Sequence, residues 1–104
     1  MLITPDGRRS IDCPESDFVW DAAARAGIRL SAICHQGRCL TCAARIVEGD
    51  VDQSASSSYF PEDRAAGFAL LCTGRPLTDA ILETDQQWEM RRHRTAAGLP
   101  APYS

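Results

Sequence analysis

Cys34, Cys39 and Cys42 stand within nine residues in the spacing C-x4-C-x2-C, and Cys72 follows after 29 intervening residues. Three thiols this close converge on one point only if the backbone wraps around it. Gly37, able to take positive φ, permits the wrap. The fourth thiol arrives from a distant part of the chain and closes the cage. Two tetrahedral irons sharing four thiolates, a [2Fe–2S] cluster, suit this spacing. Zinc is the rival, but its four-cysteine sites favour two C-x2–4-C knuckles, and the second knuckle is absent here.

The elements around this loop follow from local pattern. Met1–Thr4 and Arg8–Cys13 flank the turn signal Pro5-Asp6-Gly7 and predict a β-hairpin. Ser16 and Asp17 offer N-cap oxygens to a helix whose apolar face runs from Phe18 to Ala26, and Gly27 stops it. Residues 28–42 hold the cysteine loop. Ala43–Val47 predicts a strand, Ser54–Ser58 a surface loop, and Pro61–Ala66 a short helix with Pro and acids in its first turn. Phe68–Cys72 predicts a buried strand, 73–76 a turn, and Ala80–Leu82 a last strand. Gln86–Ala97 predicts a helix ended by Gly98, with Trp88 and Met90 as its large apolar residues. Such a helix is marginal alone, so it packs on the core or waits for a partner, with Trp88 as packing anchor.

Composition bounds the rest. The chain has 104 residues, 44% hydrophobic and 24% charged, which suits one globular domain with a modest core. No apolar run approaches the roughly 18 residues of a membrane span. The N-terminus lacks a basic segment followed by an apolar one, so a reducing, cytoplasmic compartment is expected. Five cysteines, an odd count, argue against a disulfide framework. The formal charge of −3 is uneven: residues 1–85 carry 8 Arg against 13 acids, residues 86–104 carry 3 Arg against one Glu. No nucleic-acid partner is expected, and the monomer is the expected state. No nucleotide loop, Ser/His/Asp order or paired carboxylates points to an enzyme.

The element order, with Cys34–Cys42, Gly49-x-Val51-Asp52-Gln53-Ser54, Ala66–Cys72 and Pro76-x-Thr78-Asp79, resembles the plant-type [2Fe–2S] ferredoxins. The resemblance covers residues 1–85, read as a ferredoxin domain, and leaves 86–104 as a C-terminal extension, helical in part. The extension resembles that of the longer cyanobacterial and plastid members. It implies an α+β, β-grasp (ubiquitin-like) fold: a mixed sheet, one main helix, a short extra helix and a helical tail. It further implies one cluster, with Cys34 and Cys39 on one iron and Cys42 and Cys72 on the other. Cys13 falls at a position of the family's second strand commonly held by Val, and reads as a buried, inert thiol.

The implied function is one-electron carriage between a reductase or photosynthetic donor and acceptor enzymes, through transient docking. The alternative is a cluster-bearing, redox-sensing interaction protein whose basic tail binds a dedicated partner. Departures from the family's pattern weigh against the standard ferredoxin–NADP reductase. Its usual aromatic residue near the cluster falls at Ser58, and its C-terminal acid at Gln87. Arg91-Arg92-His93-Arg94 reads as a docking site, a solvated face, or a segment folding back on the acidic body. Asp52, Glu62, Asp63, Asp79 and Glu83 offer a recognition patch.

Inside the loop, backbone N–H groups of 35–42 and the Thr41 hydroxyl offset the cluster's negative charge. Ile33, where the family has Ser, removes a donor; Arg38 and a protonated His35 favour the reduced state. The net expectation is a midpoint above that of photosynthetic ferredoxins. Redox titration giving an equal or lower value contradicts it.

Overall fold

The computed structural model describes residues 1–30 and 40–101. Cys34, His35, Gln36, Gly37, Arg38 and Cys39, with Ile33, lie outside the described residues. The order is β1 (Leu2–Thr4), β2 (Gly7–Arg9), α1 (Val19–Arg25), β3 (Ala43–Glu48), β4 (Val51–Asp52), α2 (Pro61–Ala65), β5 (Phe68–Leu70), β6 (Arg75–Pro76), β7 (Ile81–Glu83) and α3 (Gln87–Ala96). Five strands form one mixed sheet in the order β2-β1-β7-β3-β5, and β4 pairs with β6 in a second, small sheet. β1 and β7 run parallel while β3 is antiparallel to both its neighbours. This is the α+β, β-grasp arrangement that the resemblance implies.

Period-two alternation divides the sheet between two cores. Ala44 and Ala69 join Leu2, Val19, Ala23 and Leu82 on the face covered by α1. Ala43, Phe68 and Leu70 turn the other way, where they meet Leu40, Cys42, Cys72 and Met90 of α3. The predicted tail helix is therefore present and packed on the body. Its anchor is Met90, fully buried, while Trp88 is 55% exposed. Helical phase explains the correction: Met90, Arg91 and Arg94 share the inward side, and Trp88, Arg92 and Thr95 share the outward one.

Three further expectations differ from the structure. β2 ends at Arg9 instead of continuing to Cys13, because its ladder to β1 runs out at the Leu2↔Arg9 pair. The N-cap of α1 is Phe18, and no side chain caps the helix. Its first N–H groups are satisfied by backbone instead: Val19 donates to the Gly74 carbonyl and Trp20 to that of Leu71, each at 2.9 Å. Asp17 pairs with Arg25 at 2.6 Å. β5 likewise stops at Leu70. Leu71 and Cys72 leave the sheet in a turn, and that departure frees the carbonyls of 71 and 74 for α1.

Gly74 sits in the tightest part of this turn. A Cβ there would collide with Gln53 Nε2 and come within 2.8 Å of Val51 Cγ1 and 2.9 Å of the Leu70 carbonyl oxygen. Gly74→Ala is therefore expected to lose roughly 1–3 kcal/mol, the usual cost of overpacking. Urea denaturation giving an unchanged midpoint would contradict this packing account.

Candidate metal centre

Cys42 lies immediately before β3 and Cys72 two residues beyond β5. The antiparallel register Ala43↔Leu70 brings these strand ends together, and the two Sγ atoms stand 2.9 Å apart. Both residues are buried, at 4% and 5% exposure. Paired thiols in an apolar setting are soft donors of the kind that select iron–sulfur clusters or zinc. Cys34 and Cys39 lie outside the described residues, so the structure brings together two of the four sequence-predicted site residues.

Backbone hydrogen bonds hold both strand ends. Leu71 N–H donates to the Cys42 carbonyl at 3.3 Å, and Ala43 N–H to that of Leu40 at 3.1 Å. Leu40, wholly buried, sits at φ +68°, a left-handed conformation costly for a branched side chain. It forces the turn by which the chain leaves the cysteine loop and enters β3.

Gln53 was legible only as part of a motif; its role emerges from the tertiary structure. Its side-chain oxygen accepts from Leu70 N–H at 3.0 Å, and its Nε2 donates to the Leu70 carbonyl at 3.3 Å. The same oxygen accepts from Ser56 Oγ, which lies 2.7 Å from Thr73 Oγ1. A buried amide thus clasps the residue two before Cys72 from both sides. Removing it would leave the buried Leu70 N–H unsatisfied, at a cost of about 1–3 kcal/mol, while the Leu70 carbonyl keeps the Thr73 N–H at 3.3 Å.

The tail supplies the far wall. Gln86 N–H donates to the Ala43 carbonyl at 3.0 Å, fixing the start of α3 beside Cys42. Arg91 is buried, 3% exposed, and donates to Thr41 Oγ1 at 3.3 Å and Gln87 Oε1 at 2.7 Å. Its guanidinium lies 4.8 Å from the Trp88 ring centroid. Arg94, fully buried, donates its Nε to both oxygens of equally buried Asp63, at 2.9 and 3.0 Å. Arg94 also donates to the carbonyls of Ser58 and Pro100. Asp63 further accepts from Phe60 N–H, which caps α2.

Two sequence expectations are corrected here. His93, read as solvated, is mostly buried, 3.0 Å from Asp63 Oδ1 and stacked near Phe68 with ring centroids 5.3 Å apart. Asp63 is the centre of a buried ion pair and no part of an acidic surface patch. The four-residue basic run is neither a solvated face nor an exposed basic patch, since two of its arginines are buried and exposed Arg92 pairs with Glu89 at 3.2 Å. Of its three readings, folding back on the acidic body is the one observed. Cys13 is half-buried, packs in the α1-side core, and its thiol pKa is raised chiefly by burial, with Asp17 adding to the effect.

The β-grasp sheet with two thiols converging at the β3–β5 end defines a cluster-binding domain of the ferredoxin type. The family description "2Fe-2S iron-sulfur cluster binding domain" matches residues 3–77. Ferredoxin-2 of Synechococcus sp. is 43% identical over 72 residues, 69% of each chain. Heterocyst ferredoxin of Microchaete diplosiphon is 37% identical over 78 residues, 75% of this chain and 79% of that one. Chloroplastic ferredoxin-6 of Zea mays is 33% identical over 90 residues, 86% of this chain and 58% of that one. Among solved structures, the Amycolatopsis cytochrome P450 reductase GcoB superposes with a TM-score of 0.72 at 30% identity, covering 81% of this chain and 25% of that one. The protein belongs to the plant-type [2Fe–2S] ferredoxin family. It binds one [2Fe–2S] cluster and carries electrons.

Next to this centre, Tyr59 donates its hydroxyl to the Phe68 carbonyl at 2.6 Å, and burial pushes its pKa up from 10.0 to about 12. The folded state therefore favours the protonated phenol. Its contribution is fully present below pH 10, the unfolded value, and is lost as pH rises through about 12. Stability is expected to fall across that window, and Tyr59→Phe to flatten the fall. Denaturation curves at pH 9 to 12 showing the same slope in both proteins would refute it.

Proposed function

We propose that the chain is a soluble, cytoplasmic, free-standing one-electron carrier, monomeric and without bond-making catalysis of its own. It docks transiently on a donor reductase and on acceptor enzymes. When bound, the cluster takes up and returns a single electron without covalent change in a substrate. Cys34, Cys39, Cys42 and Cys72 are its ligands, and the meeting of Cys42 and Cys72 at 2.9 Å is the observation that carries this assignment. Residues 1–85 form the carrier domain and 86–104 an extension that completes its packing. Among the described residues, no helix is long and apolar enough to cross a membrane.

The chain's own part is to hold the sulfurs, exclude water and stabilise charge. Leu40, Phe68, Leu70 and Met90 exclude water around Cys42 and Cys72. The Thr41 hydroxyl, beside Cys42, helps to offset negative charge. The substitutions at Ser58 and Gln87 favour a reductase other than the standard ferredoxin–NADP type. The alternative, a tail reserved for one dedicated partner, is disfavoured by the burial of Met90, Arg91 and Arg94.

Cys42→Ala and Cys72→Ala are each expected to abolish the visible charge-transfer absorption, whereas Cys13→Ala retains it. Iron and sulfide assays are expected to give two of each per chain. A colourless protein that binds zinc after anaerobic reconstitution with iron and sulfide would end the proposal.

A further inference from the structure

We infer that Arg91 sets the reduction potential of the cluster from the tail, its buried charge lowering the cost of adding the electron. The inference rests on the ligand assignment proposed above. Arg91 is joined by a 3.3 Å hydrogen bond to the hydroxyl of Thr41, the residue preceding Cys42. Met90, its neighbour on α3, packs in the same core cluster as Cys42 and Cys72. The guanidinium is therefore held beside the described end of the site, with 3% of its residue surface in contact with solvent.

Charge and setting both matter. The added electron increases negative charge at the site, and a fixed positive charge nearby lowers that cost. Water screens such a term strongly at a surface and weakly in an interior. Arg91 donates to the oxygens of Gln87 and of Thr41, the second of these beside Cys42. By accepting from Arg91, the Thr41 oxygen leaves its own proton to donate elsewhere, and the charged donor polarises that O–H. Arg91 is thus a positioning and electrostatic residue, acting through Thr41 and through space.

Gln87 offers an independent handle. Its Oε1 lies 2.7 Å from Arg91 Nη1, so Gln87→Glu places a carboxylate on the guanidinium with almost no change of shape. Arg92, exposed and paired with Glu89, is the control.

The test is redox titration, followed by visible absorption, of the full chain with its cluster reconstituted. Arg91→Gln and Gln87→Glu are each expected to lower the equilibrium constant for reduction about tenfold, about 59 mV for one electron. Arg92→Gln is expected to change it less than threefold. The displacement in the first two persists at 0.5 M salt, to order of magnitude, because screening acts weakly on buried charges. If Arg91→Gln does not retain its cluster, Gln87→Glu carries the test alone. Wild-type midpoints in cluster-bearing Arg91→Gln or in Gln87→Glu overturn the inference, as does an equal shift in Arg92→Gln. A wild-type chain that takes up no cluster overturns instead the ligand reading beneath it.

Discussion

The pairing of β3 with β5 is the constraint on which the site depends. One register, Ala43↔Leu70, decides that the residue before β3 and the turn after β5 meet. A slip by one residue would send every side chain of β5 to the opposite face. It would part Cys42 from Cys72 and drive Phe68 and Leu70 into the core beneath α1. Ala43, Ala44 and Ala69 are small and fully buried, and α3 lies close against β3. Gln53 and Gly74 then fix the exit of β5, the first by clasping Leu70 and the second by leaving room for the clasp.

The same turn performs two tasks. It carries Cys72 to Cys42, and it offers the carbonyls of Leu71 and Gly74 to the first turn of α1. The main helix is therefore capped by the segment that bears a thiol. Disturbance of either end is felt at the other, because orphan helix N–H groups buried without partners are expensive.

The tail completes the second core. A buried Arg94–Asp63 pair is weak evidence for net stability, since desolvation offsets most of its attraction. Its meaning here lies in specificity. Asp63 caps α2 through Phe60 while binding Arg94 and contacting His93, so one carboxylate fixes how α2 and α3 lie together. Severing such a pair on one side typically costs about 3–5 kcal/mol, because the remaining charge stays buried. Deleting 86–104 would accordingly uncover Phe68 and take Arg94 and His93 away from buried Asp63.

Cysteine spacing, the glycine stop at residue 27, the order of the main-sheet strands and the helices and the motif around Gln53 were readable in one dimension, whereas the small β4–β6 sheet was not, since residues 73–76 read as a turn. Each rests on local chemistry: ligand reach, backbone permissiveness, or periodicity of apolar residues. The spacing of the cysteines pointed to the cluster class, and the resemblance carried by these motifs implied the family and the β-grasp fold. Tertiary structure decided what depends on which groups lie across from each other. It replaced the Ser16 and Asp17 caps with distant carbonyls, turned Trp88 outward and Met90 inward, and buried Asp63, Arg91 and Arg94. Charge in a sequence carries no label for solvent or interior. A basic run on a polar helix reads as surface until its counterpart, 31 residues away in the case of Asp63 and Arg94, is brought against it by the packing of the sheet.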